Sequence, residues 1–169
     1  MKDEKTLERV QLLHPKLRDE AILLYDEIIA ALTGTAACRF SYTLRTFAEQ
    51  DALYAQGRTK PGAIVTKAKG GQSYHNYGLA IDIVLLVDKD GNGTFETASW
   101  DTKSDFDSDG KSDWQEVVAI FKRYGWEWGG DWKFYDAPHF QKTLGHSIAE
   151  LQKMHNTQTV RKNVGYLNL

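Results

Sequence analysis

Asp82 stands in surroundings that a carboxylate seldom occupies. It is the only polar residue of the run Ala80–Val87, which is typical of a buried strand. Burying a carboxylate away from water costs free energy unless it pairs with a cation or accepts several hydrogen bonds. Two interpretations follow from this fact alone: a cation ligand, or a carboxylate that caps a loop through backbone N–H groups.

Two histidines can be brought to Asp82. His75 stands seven residues earlier, and a turn ending at Gly78 can fold it back beside Asp82. His139 lies in a separate segment, after Pro138. Two imidazoles and one carboxylate form a ligand set that suits catalytic zinc and leaves a fourth position for water. Three such residues also occur together by chance, so this spacing by itself is weak support.

Hydrolysis at a metal centre also needs a base for the attacking water and a positive partner for the oxyanion. Asp136 lies three residues before His139 and can reach the same centre if Ala137 and Pro138 bend the chain. Arg45 leaves the first predicted strand on its polar face. Taken alone, Arg45 is interpreted as a surface arginine.

The rest of the sequence predicts the elements that hold these side chains. Helical spacing and capping signals predict five helices, over residues 6–13, 17–32, 47–56, 113–124 and 147–155. Strand patterns occur at residues 36–44 and 80–87 and near 126–128 and 138–141. This order predicts an α+β fold, in which a small antiparallel β-sheet is flanked by helices.

Composition is that of one soluble domain, because 41% of the 169 residues are apolar and 26% are charged. No apolar run approaches the ~20 residues of a membrane span, and none follows the charged start, so neither membrane insertion nor a signal peptide is expected. The single cysteine, Cys38, excludes an internal disulfide and is expected in the core. The remaining histidines, His14, His146 and His155, are expected at the surface.

Acidic residues are concentrated between Asp88 and Glu116, where nine carboxylates occur with three lysines. This segment carries a charge of −6 and leaves +4 for the rest of a chain whose net charge is −2. Such clustering is typical of a solvated loop or a cation site. The remaining +4 forms no dense basic stripe, so nucleic-acid binding is not expected.

The later part of the acidic segment, residues 105–116, follows the calcium-loop pattern of EF hands. Calcium would be surrounded by oxygens of Asp105, Asp107, Asp109, the Lys111 carbonyl and Glu116. The alternative is a plain helix start, because Asp113 and Glu116 also resemble a capping box. Three aspartates at alternate positions repel one another without a cation, which favours calcium. Residues 88–99 begin similarly but end without the acidic ligand, so a plain turn is equally supported there.

Two longer motifs resemble those of a known enzyme family. Residues 73–82, SYHNYGLAID, fit the pattern SxHxxGxAxD, and residues 126–140 fit WxWGGDW followed by DxPHF. Together they are similar to the D-alanyl-D-alanine carboxypeptidase and L-alanyl-D-glutamate endopeptidase family of zinc peptidases, and most to its branch of phage endolysins and bacterial autolysins. Residues 44–50 resemble the arginine-bearing segment of that family. The resemblance covers roughly residues 36–142.

The resemblance implies a role for each matching residue. The zinc ligands it implies are His75, Asp82 and His139. The general base would be Asp136, and Arg45 would orient or stabilise the substrate carbonyl. The residues implied to touch the substrate or shape the cleft floor are Ser73, Trp128 and Asp131. All these motif positions are intact, so an inactive relative is not expected.

The function implied is hydrolysis of bacterial peptidoglycan stem peptides at the L-Ala–D-Glu bond. The alternatives are a D-Ala-D-Ala carboxypeptidase and a non-catalytic wall- or calcium-binding module. We expect a monomer with one peptidase domain, residues 1–169, divided into a core (36–142), an acidic insertion (88–116) and a tail (143–169). It would act at the cell wall or periplasm, either released from the cytoplasm at lysis or exported with a leader that this sequence lacks.

Overall fold

An antiparallel sheet contains two of the three predicted zinc ligands. The structure, a computed structural model, describes residues 2–157 and 166–169. The strands in these residues are β1 (Ala36–Tyr42), β2 (Ala80–Val87), β3 (Thr97–Ser99), β4 (Glu127–Trp128) and β5 (His139–Gln141). Their order is β1-β2-β5-β4, and β3 pairs with the end of β2. The continuous apolar run of β2 is therefore explained by its central position.

Helices precede and follow the strands. In the described residues they are α1 (Glu4–Val10), α2 (Pro15–Ala31), α3 (Phe47–Ala55), α4 (Asp113–Arg123) and α5 (Ile148–Thr157). Pro15 begins α2, where its missing N–H leaves no helical hydrogen bond unmade. The predicted capping box begins α3: the Thr46 hydroxyl accepts from the Glu49 N–H, and the Glu49 carboxylate accepts from the Thr46 N–H.

The core lies between one face of the sheet and the helices α2 and α4. Phe121 of α4 stacks on Phe140 of β5 with ring centroids 4.0 Å apart, and burying such a ring stabilises the fold by about 1.5–3 kcal/mol. Successive side chains of a strand point to opposite faces. Burial of Phe140, and of Ile81 and Ile83 in β2, therefore directs His139 and Asp82 to the other face of the sheet.

The predicted α+β class is confirmed, and the predicted helices and strands are present with small differences at their ends. Three short elements were not predicted: β3 and the 3₁₀ turns Tyr74–Tyr77 and Gly129–Asp131. Cys38 is buried, as expected.

The expectation that His14 lies at the surface is wrong. Its side chain is only 3% exposed. It caps α2, because Nδ1 accepts from the Lys16 N–H at 3.3 Å, and Nε2 lies 2.8 Å from the Leu167 carbonyl oxygen. The break before Pro15 therefore turns His14 inward. His155 is also partly buried, with its ring centroid 4.5 Å from that of Phe47.

The acidic segment 88–116 is attached to the turn between α2 and β1. The Thr33 N–H donates to Asp107 at 2.8 Å, and the Thr35 hydroxyl donates to the Phe106 carbonyl at 2.7 Å. Part of the predicted tail, residues 158–165, lies outside the described residues. In the part of the chain that is described, no helix is both long and apolar enough to cross a membrane.

Candidate active site

Three side chains from separate segments direct their donor atoms at one another on the open face of the sheet. His75 Nε2 lies 3.1 Å from Asp82 Oδ1, His139 Nδ1 lies 3.2 Å from the same oxygen, and the two ring nitrogens are 3.2 Å apart. Zinc bonds of ~2.0–2.1 Å place tetrahedral ligands roughly 3.3 Å from one another. We call these three atoms the donor triangle; it has nearly the size of one face of that tetrahedron.

Strand register and one turn bring these three side chains together. Asp82 and His139 are direct cross-strand partners of β2 and β5, and such partners share a face. His75 comes from the 3₁₀ turn that ends at Gly78, whose φ of 70° lies in the left-handed region. A Cβ atom at Gly78 would also crowd the His14 backbone nitrogen, so the turn favours glycine for two reasons.

The far nitrogen of each imidazole lies against an acceptor. His75 Nδ1 is 2.6 Å from the Thr43 carbonyl oxygen, and His139 Nε2 is 3.0 Å from Gln141 Oε1. In the neutral rings these nitrogens carry the proton, which leaves lone pairs on the two nitrogens of the donor triangle. Two lone pairs and a carboxylate repel one another unless a proton or a metal cation lies among them. This donor set fits zinc, which takes such ligands.

Charges within the donor triangle shift the pKa values of Asp82 and His139. Burial alone would raise the pKa of Asp82, but His75 and His139 outweigh burial and hold the pKa of Asp82 well below its usual range. Burial would lower the pKa of His139, whereas the hydrogen bond to Asp82 raises it. Asp82 is therefore an ionised carboxylate at neutral pH, which is the form that binds a metal.

Asp136 lies beside the donor triangle because the chain turns before β5. The His139 N–H donates to the Asp136 carbonyl at 3.2 Å, so the chain bends at Ala137 and Pro138. Burial raises the pKa of the Asp136 carboxyl, and the charge of His139 offsets part of that rise. Asp136 is thus a carboxylate near the predicted ligands, and its raised pKa makes it a better proton acceptor.

Trp128, Gly129 and Gly130 pack against this turn and hold it in place. The Trp128 indole N–H donates to the Ala137 carbonyl at 2.7 Å, and the Asp136 N–H donates to the Gly129 carbonyl at 3.0 Å. A Cβ at Gly129 would overlap the Asp136 carbonyl, and a Cβ at Gly130 would overlap the Trp128 ring. The position of Asp136 therefore depends on two residues without side chains.

Arg45 is largely buried beside the donor triangle, so its interpretation as a surface arginine is wrong. Its side chain is 13% exposed, and Nη2 lies 3.8 Å from Asp82 Oδ2. Nη1 donates to Gln50 Oε1 at 3.0 Å, and the guanidinium carbon lies 4.7 Å from the Tyr42 ring centre. The buried Nε has no hydrogen-bond partner among the described residues. Nη2, at 3.8 Å from Asp82, is beyond hydrogen-bond length and keeps a donor for another oxygen.

Gln50 is a site residue that sequence reasoning missed. It is 1% exposed, and its amide nitrogen donates to the Ala68 carbonyl at 2.8 Å. Gln50 therefore links Arg45 to the long loop that precedes His75. The signal in the sequence was a polar residue five positions after Arg45 in an otherwise amphipathic helix, which by itself predicts a solvated side chain.

Two exposed loops meet near His139. The Trp132 ring lies 5.3 Å from that of His139, and the next aromatic residues, Phe134 and Tyr135, are 71% and 62% exposed. Lys67 comes from the long loop before His75, and its ammonium lies 4.3 Å from the Phe134 ring centre. The two loops therefore meet at a contact between a cation and an aromatic ring.

Ser73 and Asp131 have different surroundings. The Ser73 hydroxyl accepts from the His75 N–H at 3.3 Å, so Ser73 caps the turn that holds this ligand. Asp131 forms an ion pair with Lys122 at 2.6 Å, and both side chains are about half exposed. Contacts of Ser73, Trp128 and Asp131 with a substrate stay predictions.

Comparison with known proteins identifies the family that the motifs resemble. Residues 66–142 match the D-alanyl-D-alanine carboxypeptidase family. Over 130 residues, the chain is 59% identical to the peptidoglycan L-alanyl-D-glutamate endopeptidase CwlK of Bacillus subtilis (strain 168), across 76% of this chain and 72% of that protein. The chain belongs to this peptidase family.

The family match contains the donor triangle and Asp136, but it begins after Arg45 and Gln50. These two residues are placed at the site of this peptidase by α3 and the end of β1. The match also spans the acidic segment 88–116.

The second acidic loop of this peptidase contains a buried carboxylate. Asp113 is fully buried, and its carboxylate lies within 4.8 Å of those of Asp105 and Asp107. Asp113 Oδ2 accepts from the Phe106 N–H at 2.9 Å, whereas Oδ1 has no partner among the described residues. Burial and the charges of Asp107 and Asp105 raise the pKa of Asp113 to about 6.

Asp107 also belongs to a second group of carboxylates, in which it approaches Asp109 and Glu116 within 4.8 Å. The Lys111 ammonium lies 3.2 Å from Asp109 and 3.4 Å from Glu116. The first acidic loop is similar, because Asp88, Asp90 and Glu96 also approach within 4.8 Å. Asp88 accepts from the N–H groups of residues 91, 92 and 93, as Asp105 accepts from those of residues 109 and 110. Hydrogen bonds of this kind, from backbone N–H groups to an aspartate, also occur in a plain turn without a cation.

Proposed function

We propose that this peptidase hydrolyses the stem peptides of bacterial peptidoglycan, at the bond between L-Ala and D-Glu. The observation that carries the proposal is the donor triangle of His75, Asp82 and His139, with Asp136 and Arg45 beside it. The choice of bond rests on the 59% identity to an L-alanyl-D-glutamate endopeptidase.

In this proposal His75, Asp82 and His139 hold a zinc ion. When bound, zinc acidifies a water molecule and polarises a carbonyl group. The Asp136 carboxylate accepts a proton from the attacking water and returns it to the leaving amine of D-Glu. Transfer of this kind contributes ~10²–10⁴ to the rate. The Arg45 guanidinium donates to the oxygen of the L-Ala carbonyl, where negative charge develops.

Digestion of purified muropeptides tests this function. The wild-type protein with one equivalent of zinc should release peptides that begin with D-Glu and leave L-Ala attached to the glycan. The products are distinguished by mass spectrometry and by labelling of new amino groups. Release of terminal D-Ala alone would instead identify a D-Ala-D-Ala carboxypeptidase, the second activity that the family description supports.

A non-catalytic wall-binding module is the alternative from another class. It predicts that the protein sediments with cell walls and releases no peptide at any zinc concentration. The ionised Asp82 beside two histidines argues against it, because binding alone needs no such group. We further propose that the chain is a monomer with one catalytic domain, acting at the cell wall or periplasm after release at lysis or after export.

We also propose that the second acidic loop binds Ca²⁺ through Asp105, Asp107, Asp109, the Lys111 carbonyl and Glu116. The buried Asp113 oxygen without a partner supports a cation here, because a buried carboxylate oxygen needs a donor or a cation. The Lys111 ammonium already lies between two of the carboxylates, where positive charge is favoured. We propose Asp113, at the ninth position of the loop pattern, as a further ligand, since its carboxylate lies within 4.8 Å of those of Asp105 and Asp107.

Calorimetric titration of metal-stripped protein with CaCl₂ tests the calcium proposal. The wild type should bind one Ca²⁺ tightly, and its melting temperature should rise as ligand binding to the folded state requires. Asp113→Asn should weaken this binding, whereas Asp90→Asn in the first loop should leave it unchanged. Absence of both heat and a rise in melting temperature would exclude the site.

A further inference from the structure

His139 is linked to the surface by two consecutive side chains. Its Nε2 lies 3.0 Å from Gln141 Oε1, and Gln141 Nε2 donates to Glu127 Oε2 at 3.1 Å. His139 and Gln141 are two residues apart in β5, so their side chains share a face. Gln141 and Glu127 are direct cross-strand partners of β5 and β4, which places Glu127 in the same row.

Glu127, at the exposed end of this row, determines which atoms donate and which accept in its hydrogen bonds. An ionised carboxylate only accepts hydrogen bonds, so Glu127 requires the amide nitrogen of Gln141 on its side. The amide oxygen must then point to His139, and that oxygen only accepts. The proton of a neutral His139 ring is therefore held on Nε2, which leaves the lone pair on Nδ1, inside the donor triangle.

His75 has no equivalent arrangement. Its far nitrogen lies against the backbone carbonyl of Thr43, which fixes the proton whatever side chain residue 43 has. Only His139 depends on side chains for its tautomer, and one of them, Glu127, is exposed. The His75 ring is thus oriented by a backbone carbonyl, and the His139 ring by a side chain.

We propose that Glu127 and Gln141 are positioning residues that hold His139 in the form whose Nδ1 binds metal. The proposal rests on the proposed zinc site, because it concerns the affinity of His139 for that ion. Partners that orient metal-binding histidines typically change metal affinity by about 10–100-fold when they are removed. Glu127 would act through Gln141 without touching the metal, the substrate or His139.

Zinc affinity measured by competition with a chelator tests this relay without using activity. Gln141→Leu removes both hydrogen bonds, and we expect about 10–100-fold weaker zinc binding. Glu127→Gln keeps the size of the side chain but lets the Gln141 amide turn over, so we expect a smaller loss of several-fold. Glu8→Gln, which neutralises an exposed carboxylate on α1, is the matched control and should bind as the wild type does.

A second measurement reads the tautomer directly. In ¹⁵N spectra of the zinc-free protein, the proton of a neutral His139 ring should lie on Nε2 in the wild type, and a second tautomer should be populated in Gln141→Leu. Because Glu127 is exposed, its variant does not depend on repacking of the core. Unfolding of Gln141→Leu would be seen by circular dichroism, and the proposal is then decided by Glu127→Gln alone.

The outcomes separate the relay from the metal site. If the wild type and His75→Ala bind zinc equally weakly, the proposed zinc site itself fails. If the wild type binds zinc tightly and Glu127→Gln matches it in affinity and tautomer, the relay is overturned while the zinc site stands. Weaker binding in Glu127→Gln, with Glu8→Gln unchanged, supports the relay.

Discussion

At the scale of single residues, the sequence was most informative where a residue type contradicted its surroundings. Asp82 in an apolar strand pointed to the donor triangle. His75 and His139 were candidates from their positions in the sequence, and the family motif implied that they bind zinc. Arg45 was misjudged without the family, because nothing local distinguishes a buried arginine from a solvated one. Gln50 was missed for the same reason: its partners, the Arg45 side chain and the Ala68 carbonyl, become neighbours only after folding.

Replacement of Asp136 by alanine separates its role from those of the ligands. We expect Asp136→Ala to lose at least ~10²-fold in kcat, because no other carboxylate is proposed to accept the proton. Its zinc content should stay near one ion per chain, since His75, Asp82 and His139 are unchanged. Metal analysis and muropeptide cleavage measure the two effects. Activity close to that of the wild type would end the assignment of Asp136 as the base.

Replacement of His75 should affect metal and activity together. We expect His75→Ala to lose zinc and cleavage, because two donors remain where the donor triangle had three. His146→Ala is a suitable control, since His146 lies in a polar segment near α5 and outside the site. A His75→Ala protein that is fully loaded and active would remove His75 from the ligand set.

At the scale of elements, the sequence predicted those whose pattern is repeated over several residues. The helices and the two long strands have enough apolar positions to show their period. The three-residue β3 and the 3₁₀ turns do not, because two or three residues define no period. Yet the turns hold the site: one contains His75, and the other begins with the glycine that supports Asp136. The register that pairs Asp82 with His139 was likewise not predictable, since it depends on nonlocal packing.

The glycines beneath Asp136 give a prediction for this turn. Gly130→Ala would force its methyl group into the Trp128 ring, and overpacking of this kind costs about 1–3 kcal/mol. We expect a lower melting temperature and a fall in kcat, because displacement of Trp128 moves the turn that carries Asp136. Lys133→Ala, in the same loop but exposed, should change neither. Unchanged melting and kinetics of Gly130→Ala would show that the loop absorbs the methyl group.

At the scale of the whole molecule, the acidic segment 88–116 is the part that the family motifs did not explain. It is attached to the turn before β1 and leads directly into α4, whose residues form part of the core. The charge pattern predicted a cation site there, but it did not reveal that Asp113 is buried. That burial follows from how α4 packs, which depends on segments distant in the chain.

Asp113 makes the stability of the metal-free protein depend on pH. Its pKa of about 6, against an ordinary value of 3.8, means that the folded chain holds an extra proton between these values. This proton stabilises the fold at the acidic end of the window, and stability falls as pH rises through the pKa. With chelator present, the melting temperature of the wild type should therefore fall more steeply than that of Asp113→Asn as pH rises from about 4 to about 6.

Scanning calorimetry resolves this difference, since 1 kcal/mol shifts the melting temperature of a domain of this size by about 2–4 °C. The comparison of the two proteins removes the contributions of other titrating groups. Parallel pH dependence in wild type and Asp113→Asn would contradict a raised pKa for Asp113.

The order in which the ligands occur along the chain has a consequence for synthesis. His75 and Asp82 leave the ribosome early, but their partner His139 belongs to β5, the last strand of the sheet in the described part of the chain. A nascent or truncated polypeptide that stops before β5 has two of the three ligands and lacks Asp136. Copies that stop before β5 should therefore be unable to cut peptidoglycan, and the proposed hydrolytic centre can form only after β5 has been synthesised.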